Sequence, residues 1–233
     1  MVKYALTNAG KDLLNLFYPR ICAGCRTVLV NREEHVCTGC LYKLPKTNFH
    51  LDRDNPMEQL FWGRVRIEYA AACYYFEKSG KCRRILHHIK YKGRKELARY
   101  LGLLYGFELS RSGPFASADK LLPVPLHSRR EKKRGFNQSE WFAAGLSESM
   151  NKKVAAGVLL RVSGTHTQTN KSRIKRWENV ENCFEVSKPE EVENSHIILV
   201  DDVVTTGATL ESCATTLIRC SGVKISILTI AYA

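Results

Sequence analysis

The chain has 233 residues, a formal net charge of +13 and a hydrophobic content of 44%. This length fits one medium α/β domain with a small additional module, and the longest apolar runs are far short of a membrane span, which argues against membrane insertion. The net positive charge indicates anionic partners, either nucleic acid or a polyphosphate substrate, and is equally consistent with both.

The N-terminal region is polar and mixed from Met1 to Gly10, without the apolar region of a signal peptide. We therefore expect a cytoplasmic protein with reduced thiols. A short amphipathic segment follows at residues 12–18 and is ended by Pro19. Its apolar side is predicted to dock on the body of the protein.

Four of the nine cysteines are clustered in two Cys-x2-Cys pairs. They are Cys22, Cys25, Cys37 and Cys40. Two pairs at this spacing can hold one Zn²⁺ tetrahedrally through four thiolates. Because four protein ligands leave no open position, we predict a structural and not a catalytic metal. The spacing also admits iron, a set of free thiols or a redox pair.

The middle of the chain contains a polar stretch and then regular elements. Residues 46–65 are interpreted as a linker broken by Pro56, and one or two strands are expected over residues 66–76. We divide the chain into an N-terminal helix with the cysteine module (1–50), a linker with edge strands (51–78) and an α/β domain (79–233). A helix ending near Gly93 has a basic end, which is either a solvated helix terminus or an anion-facing patch. A second helix is predicted over residues 95–110.

A strand predicted at residues 121–124 leads into a strongly basic run. Asn137 followed by Glu140 resembles a capping box that opens a helix. A loop rich in hydrogen-bond donors between a strand and a helix suits an anion. The candidate anion-binding groups are Arg129, Arg134 and the backbone around Gly135. The alternative is a solvated run of charge.

Another strand is predicted at residues 154–160, and a long polar, cationic segment covers residues 161–179. A loop of about 20 residues inside a compact domain is usually functional or mobile. Its candidate ligand-facing residues are Gln168, Arg173, Arg176 and Asn179. The alternative is a disordered basic loop.

The most informative stretch is residues 197–209. Four apolar residues predict a buried parallel strand, Asp201 and Asp202 follow at its expected end, and a helix comes after the next loop. The loop residues are Thr205, Thr206, Gly207, Ala208 and Thr209. Backbone N–H groups at the start of a helix suit a phosphate, and the two carboxylates can accept hydrogen bonds from sugar hydroxyls. One loop would thus hold both ends of a sugar phosphate. An apolar strand at residues 224–233 ends the chain.

Residues 197–209 resemble the 5-phosphoribosyl-1-pyrophosphate (PRPP) motif of type I phosphoribosyltransferases. Nearly the whole chain resembles the ComF family, the GntX-like and competence-associated group. The features that carry this resemblance are the cysteine module, the Lys-Tyr-Lys-Gly sequence at 90–93, the stretch from Pro123 to the Arg-Gly-Phe-Asn-Gln sequence at 134–138, and the PRPP-like loop. Lys171 departs from the pattern, where an apolar residue is expected.

The resemblance implies a fold and a ligand. The fold would be α/β, a type I phosphoribosyltransferase-like parallel sheet with flanking helices, preceded by a small four-cysteine zinc module. PRPP would bind with Mg²⁺, with Asp201 and Asp202 as the catalytic carboxylates. Thr205 to Thr209 would hold the 5-phosphate, and Arg129, Arg134 and Gly135 would bind the pyrophosphate. The segment with Gln168, Arg173, Arg176 and Asn179 would be a flexible loop that closes over the substrate.

Two functions are consistent with these features. The first is a phosphoribosyltransferase that acts on an unknown nitrogen acceptor and is associated with DNA uptake and use. The second is a non-catalytic DNA-processing partner that binds single-stranded DNA or a competence helicase and uses the fold as a scaffold or nucleotide sensor. Tyr91, Phe136 and Trp177 lie among basic residues and would either stack bases or serve as packing residues.

Overall fold

The computed structural model describes residues 18–30, 32–162 and 183–233. Its centre is a parallel sheet made of five strands. These are β1 (Tyr69–Tyr75), β2 (Lys120–Pro123), β3 (Lys153–Val154), β6 (His196–Val204) and β7 (Lys224–Tyr232). They lie in the order β1-β7-β6-β2-β3. A separate antiparallel pair is formed by β4 (Leu159–Arg161) and β5 (Phe184–Val186).

Helices flank the sheet. They are α1 (Thr38–Tyr42), α2 (Pro56–Gln59), α3 (Lys81–Tyr91), α4 (Lys95–Leu109), α5 (Gly113–Ala116), α6 (Ser128–Arg134), α7 (Gln138–Met150) and α8 (Ala208–Leu217), with a 3-10 turn at Pro189–Glu191. Within the described ranges, none of these helices has the length and apolar character needed to cross a bilayer. The predicted helices near 80–93 and over 95–110 are confirmed.

The two central strands are apolar on both faces, as expected for a parallel sheet covered by helices. The residues from Ile197 to Val200 in β6 are completely buried, and so are Ile227 and Leu228 in β7. The predicted strands at the PRPP-like motif and at the chain end are therefore confirmed. However, β6 continues to Val204 along β7, whereas its pairing with β2 ends at Val200. The acidic pair thus lies inside the strand, beyond the end of its shorter neighbour.

Helices α4 and α7 pack with their backbones unusually close, and glycines make this approach sterically allowed. A Cβ atom on Gly102 would lie 2.2 Å from the Phe142 carbonyl oxygen, and one on Gly145 would lie 1.9 Å from the Arg99 carbonyl oxygen. The close contact with α4 fixes the position of α7, which packs against β2, β3 and β6. The N-terminal end of α7 faces the acidic pair.

The stretch interpreted as a linker packs into the body of the protein. Met57 and Phe61 are completely buried. The Asn55 side chain caps α2 by accepting from the Met57 backbone N–H (3.0 Å), and its amide donates to the Ala70 carbonyl in β1 (3.0 Å). The linker interpretation of residues 46–65 fails because apolar residues of this stretch are buried in the core and the polar side chain of Asn55 is hydrogen-bonded inside the fold. The division at residues 50 and 78 stays a prediction, although β1 is paired with β7 in the central sheet.

Two further expectations need correction. The predicted strand at 154–160 is two short strands in different sheets, and the chain turns between them at Gly157, which has a positive φ of 75°. The basic run predicted as a loop forms α6, which ends at Gly135 with φ 80°. Its Lys, Arg and Glu residues are good helix formers, so local propensity favours a helix there. The amphipathic segment up to residue 17 and the segment 163–182 lie outside the described residues.

Candidate functional site

The acidic pair lies at the carboxyl edge of the sheet, where ligands of open α/β folds bind. Asp201 Oδ1 accepts a hydrogen bond from Ser139 Oγ in α7 (2.9 Å) and another from the Asp202 backbone N–H (2.8 Å). The Asp202 carboxylate is buried and forms an ion pair with Lys90 Nζ in α3 at 3.0 Å. The acidic pair is therefore held in place by α3 and α7, two helices that are distant in sequence from Asp201 and Asp202.

The two carboxyl groups differ in their electrostatic surroundings. Burial, together with the neighbouring charge of Asp202, raises the pKa of Asp201 to about 7. The hydrogen bonds from Asp202 N–H and Ser139 and the charge of Lys90 act in the opposite direction. A cationic ligand, or one with several hydroxyl donors, would relieve the repulsion within the pair.

This raised pKa predicts a pH dependence of stability. The folded protein retains a proton on Asp201 that the unfolded chain releases at its ordinary pKa of about 3.9, so this group's contribution to stability is lost as pH rises from about 4 to about 7. We expect the unfolding free energy from urea titration to fall less between about pH 5 and about pH 8 in Asp201→Asn than in wild type. Equal changes in both proteins would show that Asp201 ionises normally.

The threonine-rich loop follows β6 and leads into α8. Gly207 precedes the helix with φ 77°, a conformation that favours glycine, and an added Cβ would lie 3.1 Å from Phe61 Cε1. Arg64 Nη1 donates to the Thr206 carbonyl (2.9 Å), and its guanidinium pairs with Glu211 in α8. Phe61 and Arg64 thus contact the threonine-rich loop and stabilise its conformation. Sequence reasoning missed both residues because they lie in the stretch interpreted as a linker.

The loop borders a small concavity of about 70 Å³ formed by Asp201 and residues 203–210. All five predicted phosphate-binding residues belong to it, and four of them are exposed, whereas Gly207 is buried. With the backbone N–H groups at the start of the ten-residue α8, this concavity can accept a phosphate.

A larger cavity of about 280 Å³ adjoins the loop and the acidic pair. Its wall consists of Lys90, Val124, Pro125, Leu126, Arg130, Arg134, Gln138, Arg161, Asp201, Asp202, Val203, Thr205 and Thr209. Anionic and cationic groups therefore face each other across one cavity, as a ligand with both hydroxyl and phosphate groups requires.

The cavity wall contains one of the two α6 arginines that we expected and one that we did not expect. Arg134 lines the cavity, as does Arg130 one helical turn earlier, whereas Arg129 is exposed and does not belong to the wall. The Arg129 backbone N–H donates to His127 Nδ1 at the start of the helix (3.2 Å). Roles for Arg129, Arg134 and Gly135 in pyrophosphate binding stay predictions. Arg130 was missed because the helical phase of this run was not recognised.

The predicted loop residues Gln168, Arg173, Arg176 and Asn179 lie outside the described residues. Arg161, at the start of that segment, lies in the cavity wall, and its guanidinium carbon is 5.2 Å from the Phe184 ring centroid.

The four clustered cysteines come together as predicted. The sulfur atoms of Cys22, Cys25, Cys37 and Cys40 all lie within 4.8 Å of one another, and all four thiols are free. Cys25 Sγ and Cys37 Sγ are 3.6 Å apart, close to the edge of about 3.8 Å of a tetrahedron with Zn–S bonds of about 2.3 Å. The backbone N–H groups of Gly24 and Cys37 both donate to Cys22 Sγ at 3.3 Å, which favours a thiolate.

The thiols also differ in acidity. Hydrogen bonds from Thr27 lower the pKa of Cys25 to about 6, whereas burial raises the pKa of Cys40. The set fits Zn²⁺, which these four residues would hold as a structural ion with no open coordination position.

Comparison with known sequences agrees with this geometry. The family described as the phosphoribosyl transferase domain matches residues 110–233, more than half of the chain, and the chain belongs to that family. The matched part contains β2, α6, α7, β6 and α8, and therefore both the acidic pair and the threonine-rich loop. Lys90, Phe61 and Arg64 lie outside it.

The relatives carry names from competence and DNA utilization, which confirms the resemblance to the ComF family. The chain is 36% identical over 138 residues to DNA utilization protein YhgH of Salmonella typhi, covering 58% of this chain and 60% of YhgH. It is 32% identical to competence protein F of Haemophilus influenzae, over 56% of each chain. It is 27% identical to competence protein ComFC of Bacillus subtilis over 86% of this chain and 78% of ComFC. The match spans about three fifths of the YhgH length.

Proposed function

We propose that the protein binds PRPP with Mg²⁺ at the carboxyl edge of the sheet and transfers the phosphoribosyl group to a nitrogen acceptor. One observation carries this proposal: a single cavity is bordered by the Asp201–Asp202 pair, the threonine-rich loop and the cationic face of α6. These are the three chemical environments that the ribose, the 5-phosphate and the pyrophosphate of PRPP require.

The ligand groups are assigned by charge. Thr205 to Thr209 would donate to the 5-phosphate through hydroxyl and backbone N–H groups. Asp201 and Asp202 would accept hydrogen bonds from the ribose hydroxyls. Arg130 and Arg134 would face the pyrophosphate, and Arg129 and Gly135 at the two ends of the same helix stay candidates for it. The segment that contains Gln168, Arg173, Arg176 and Asn179 would close over the bound substrate.

The reaction would depend on electrostatic stabilisation. Arginines beside the pyrophosphate stabilise the charge that develops on it as the leaving group, and carboxylates near the ribose stabilise an oxocarbenium-like transition state. Mg²⁺ carried by the pyrophosphate and ribose hydroxyls would supply further charge neutralisation. Lys90 neutralises Asp202, because its ammonium lies 3.0 Å from that carboxylate.

A second candidate is a DNA-processing partner that binds single-stranded DNA or a helicase, with the fold as scaffold or nucleotide sensor. The net charge of +13 and the names of the relatives favour it. We also propose a cytoplasmic location, because the clustered thiols of Cys22, Cys25, Cys37 and Cys40 are reduced, as is usual in a reducing compartment. Calorimetric titration with a thymidine oligonucleotide, beside titration with PRPP and Mg²⁺, separates direct strand binding from small-ligand binding.

The proposed function predicts that PRPP binding depends on the acidic pair. We expect calorimetric titration with PRPP and Mg²⁺ to show binding to wild type that is weakened about 100-fold by Asp201→Asn combined with Asp202→Asn, since several charge-assisted contacts are lost. Glu190→Gln is the control, since it removes one exposed carboxylate from a 3-10 turn that does not line the cavity. Equal affinity of the double variant and wild type would contradict the assignment of the ribose site.

A further inference from the structure

A second basic cavity adjoins the proposed PRPP site. It measures about 460 Å³ and lies between the C-terminal ends of α3 and α6. Its lining residues are Lys90, Tyr91, Gly93, Arg130, Lys133 and Arg134. Four of the six carry positive charge, and no acidic residue occurs among these six.

The charges of this cavity are poorly compensated by the protein itself. Across the described ranges, Arg130 and Lys133 have no carboxylate within 4.0 Å, and Arg134 makes its side-chain hydrogen bond to the neutral Gln138. Cations at helix C-termini are favourable in themselves, which explains single charges of this kind. Lys90 is paired with Asp202, but the helix dipole does not explain the three further cations Arg130, Lys133 and Arg134 around one concave surface. The mutual repulsion of these three favours a bound anion.

The two cavities adjoin each other. Lys90, Arg130 and Arg134 line both of them. The Lys90 ammonium is 3.0 Å from Asp202 Oδ2, at the proposed ribose site. A molecule in the second cavity would therefore lie directly beside the ribose and pyrophosphate of PRPP, on the side of α3.

The wall also presents an aromatic face. The Tyr91 side chain is 67% exposed, and the Arg134 guanidinium carbon lies 6.0 Å from its ring centroid. An exposed tyrosine beside cations suits a flat heteroaromatic ring that also carries a phosphate, because the ring stacks on the tyrosine while the phosphate pairs with the cations.

We propose that this second cavity binds the acceptor, and that the acceptor is a phosphorylated heteroaromatic compound of the nucleoside monophosphate class and not a neutral free base. This inference rests on the proposed PRPP site for its role as an acceptor site. In the transfer, a ring-nitrogen lone pair forms the bond to ribose C1. The bond from C1 to the pyrophosphate oxygen breaks and pyrophosphate leaves with that electron pair. The ring nitrogen carries no proton, so the positive charge left on the ring is neutralised when the exocyclic amino group loses a proton to solvent.

The test uses adenosine 5′-monophosphate as the probe and two neighbouring lysines as a matched pair. Lys133 lines the second of the two cavities only, whereas Lys132 is also exposed on α6 and lines neither of them. By calorimetry on the full chain, we expect the monophosphate to bind with and without saturating PRPP and Mg²⁺, and adenosine to bind at least about tenfold more weakly. Lys133→Gln should weaken monophosphate binding about tenfold and leave PRPP affinity unchanged, and Lys132→Gln should alter neither.

Three results would overturn this proposal. The first is displacement of the monophosphate by PRPP, which would make the second cavity an extension of the pyrophosphate site. The second is equal behaviour of the two lysine variants. The third is Lys133-dependent binding of a thymidine oligonucleotide without binding of the monophosphate, which would assign the cavity to a nucleic-acid strand. By contrast, Lys133-dependent monophosphate binding without any PRPP binding would support the second site and contradict the proposed function.

Discussion

Replacing Gly145 with alanine is expected to lower the free energy of unfolding by about 3 kcal/mol, at the upper end of the usual cost of overpacking. The new Cβ would lie 1.9 Å from the Arg99 carbonyl oxygen and 2.7 Å from the Leu103 backbone nitrogen. Both atoms belong to the backbone of α4, so no side chain can move aside and the two helices must separate. Urea unfolding of the variant and wild type measures this difference.

Gly113→Ala is the matched control for this experiment. Gly113 begins the short helix α5, is exposed, and has no atom within 4 Å of an added Cβ. Its replacement should change the unfolding free energy by less than about 0.5 kcal/mol. A similar small change for Gly145→Ala would mean that α4 and α7 do not approach as closely as described.

The second large effect is expected at the cysteine cluster. An alanine Cβ at position 24 would lie 2.9 Å from Cys40 Sγ and 3.2 Å from Cys40 Cβ. Because Cys40 Sγ is one of the four sulfurs that would bind Zn²⁺, its displacement distorts the tetrahedron. We expect Gly24→Ala to weaken zinc binding at least about tenfold, the usual size for disturbing the groups that orient a ligand. Zinc content after dialysis against a competing chelator measures this.

Gly39→Ala provides the comparison within the same module. Gly39 lies between Cys37 and Cys40 in sequence, but an added Cβ there would meet no atom within 4 Å. This variant should therefore retain one zinc per chain. If both variants kept their zinc equally, steric contact at Gly24 would have no role in shaping the site.

Much of the sheet and of its ligand-binding edge could be predicted from local pattern. The apolar run before Asp201 favoured a buried strand, and the helical spacing of apolar residues after the Thr-Gly loop favoured a helix, so the order of elements was correct. The cysteine spacing was equally informative, because four thiols in paired knuckles have few arrangements. These signals are short-range and depend on residue type and spacing alone.

The remaining parts of the site depend on contacts between distant segments. Lys90 reaches Asp202, Ser139 reaches Asp201 and Phe61 supports Gly207, but no spacing rule links these positions. The choice of Arg130 over Arg129 required knowledge of the phase of α6. A run of charge does not reveal that phase, because all of its positions are polar. The linker interpretation failed for a related reason. The polar side chain of Asn55 forms hydrogen bonds with buried backbone groups, and residue polarity alone does not reveal such partners.

A crystal structure of the wild-type protein grown with PRPP and Mg²⁺ tests the central claim most directly. We predict density for the 5-phosphate against Thr205–Thr209, for the ribose hydroxyls beside Asp201 and Asp202, and for the pyrophosphate beside Arg130 and Arg134. PRPP bound only in the basic cavity around Tyr91 and Lys133, or no ligand density at a saturating concentration, would contradict a phosphoribosyl site at this edge of the sheet.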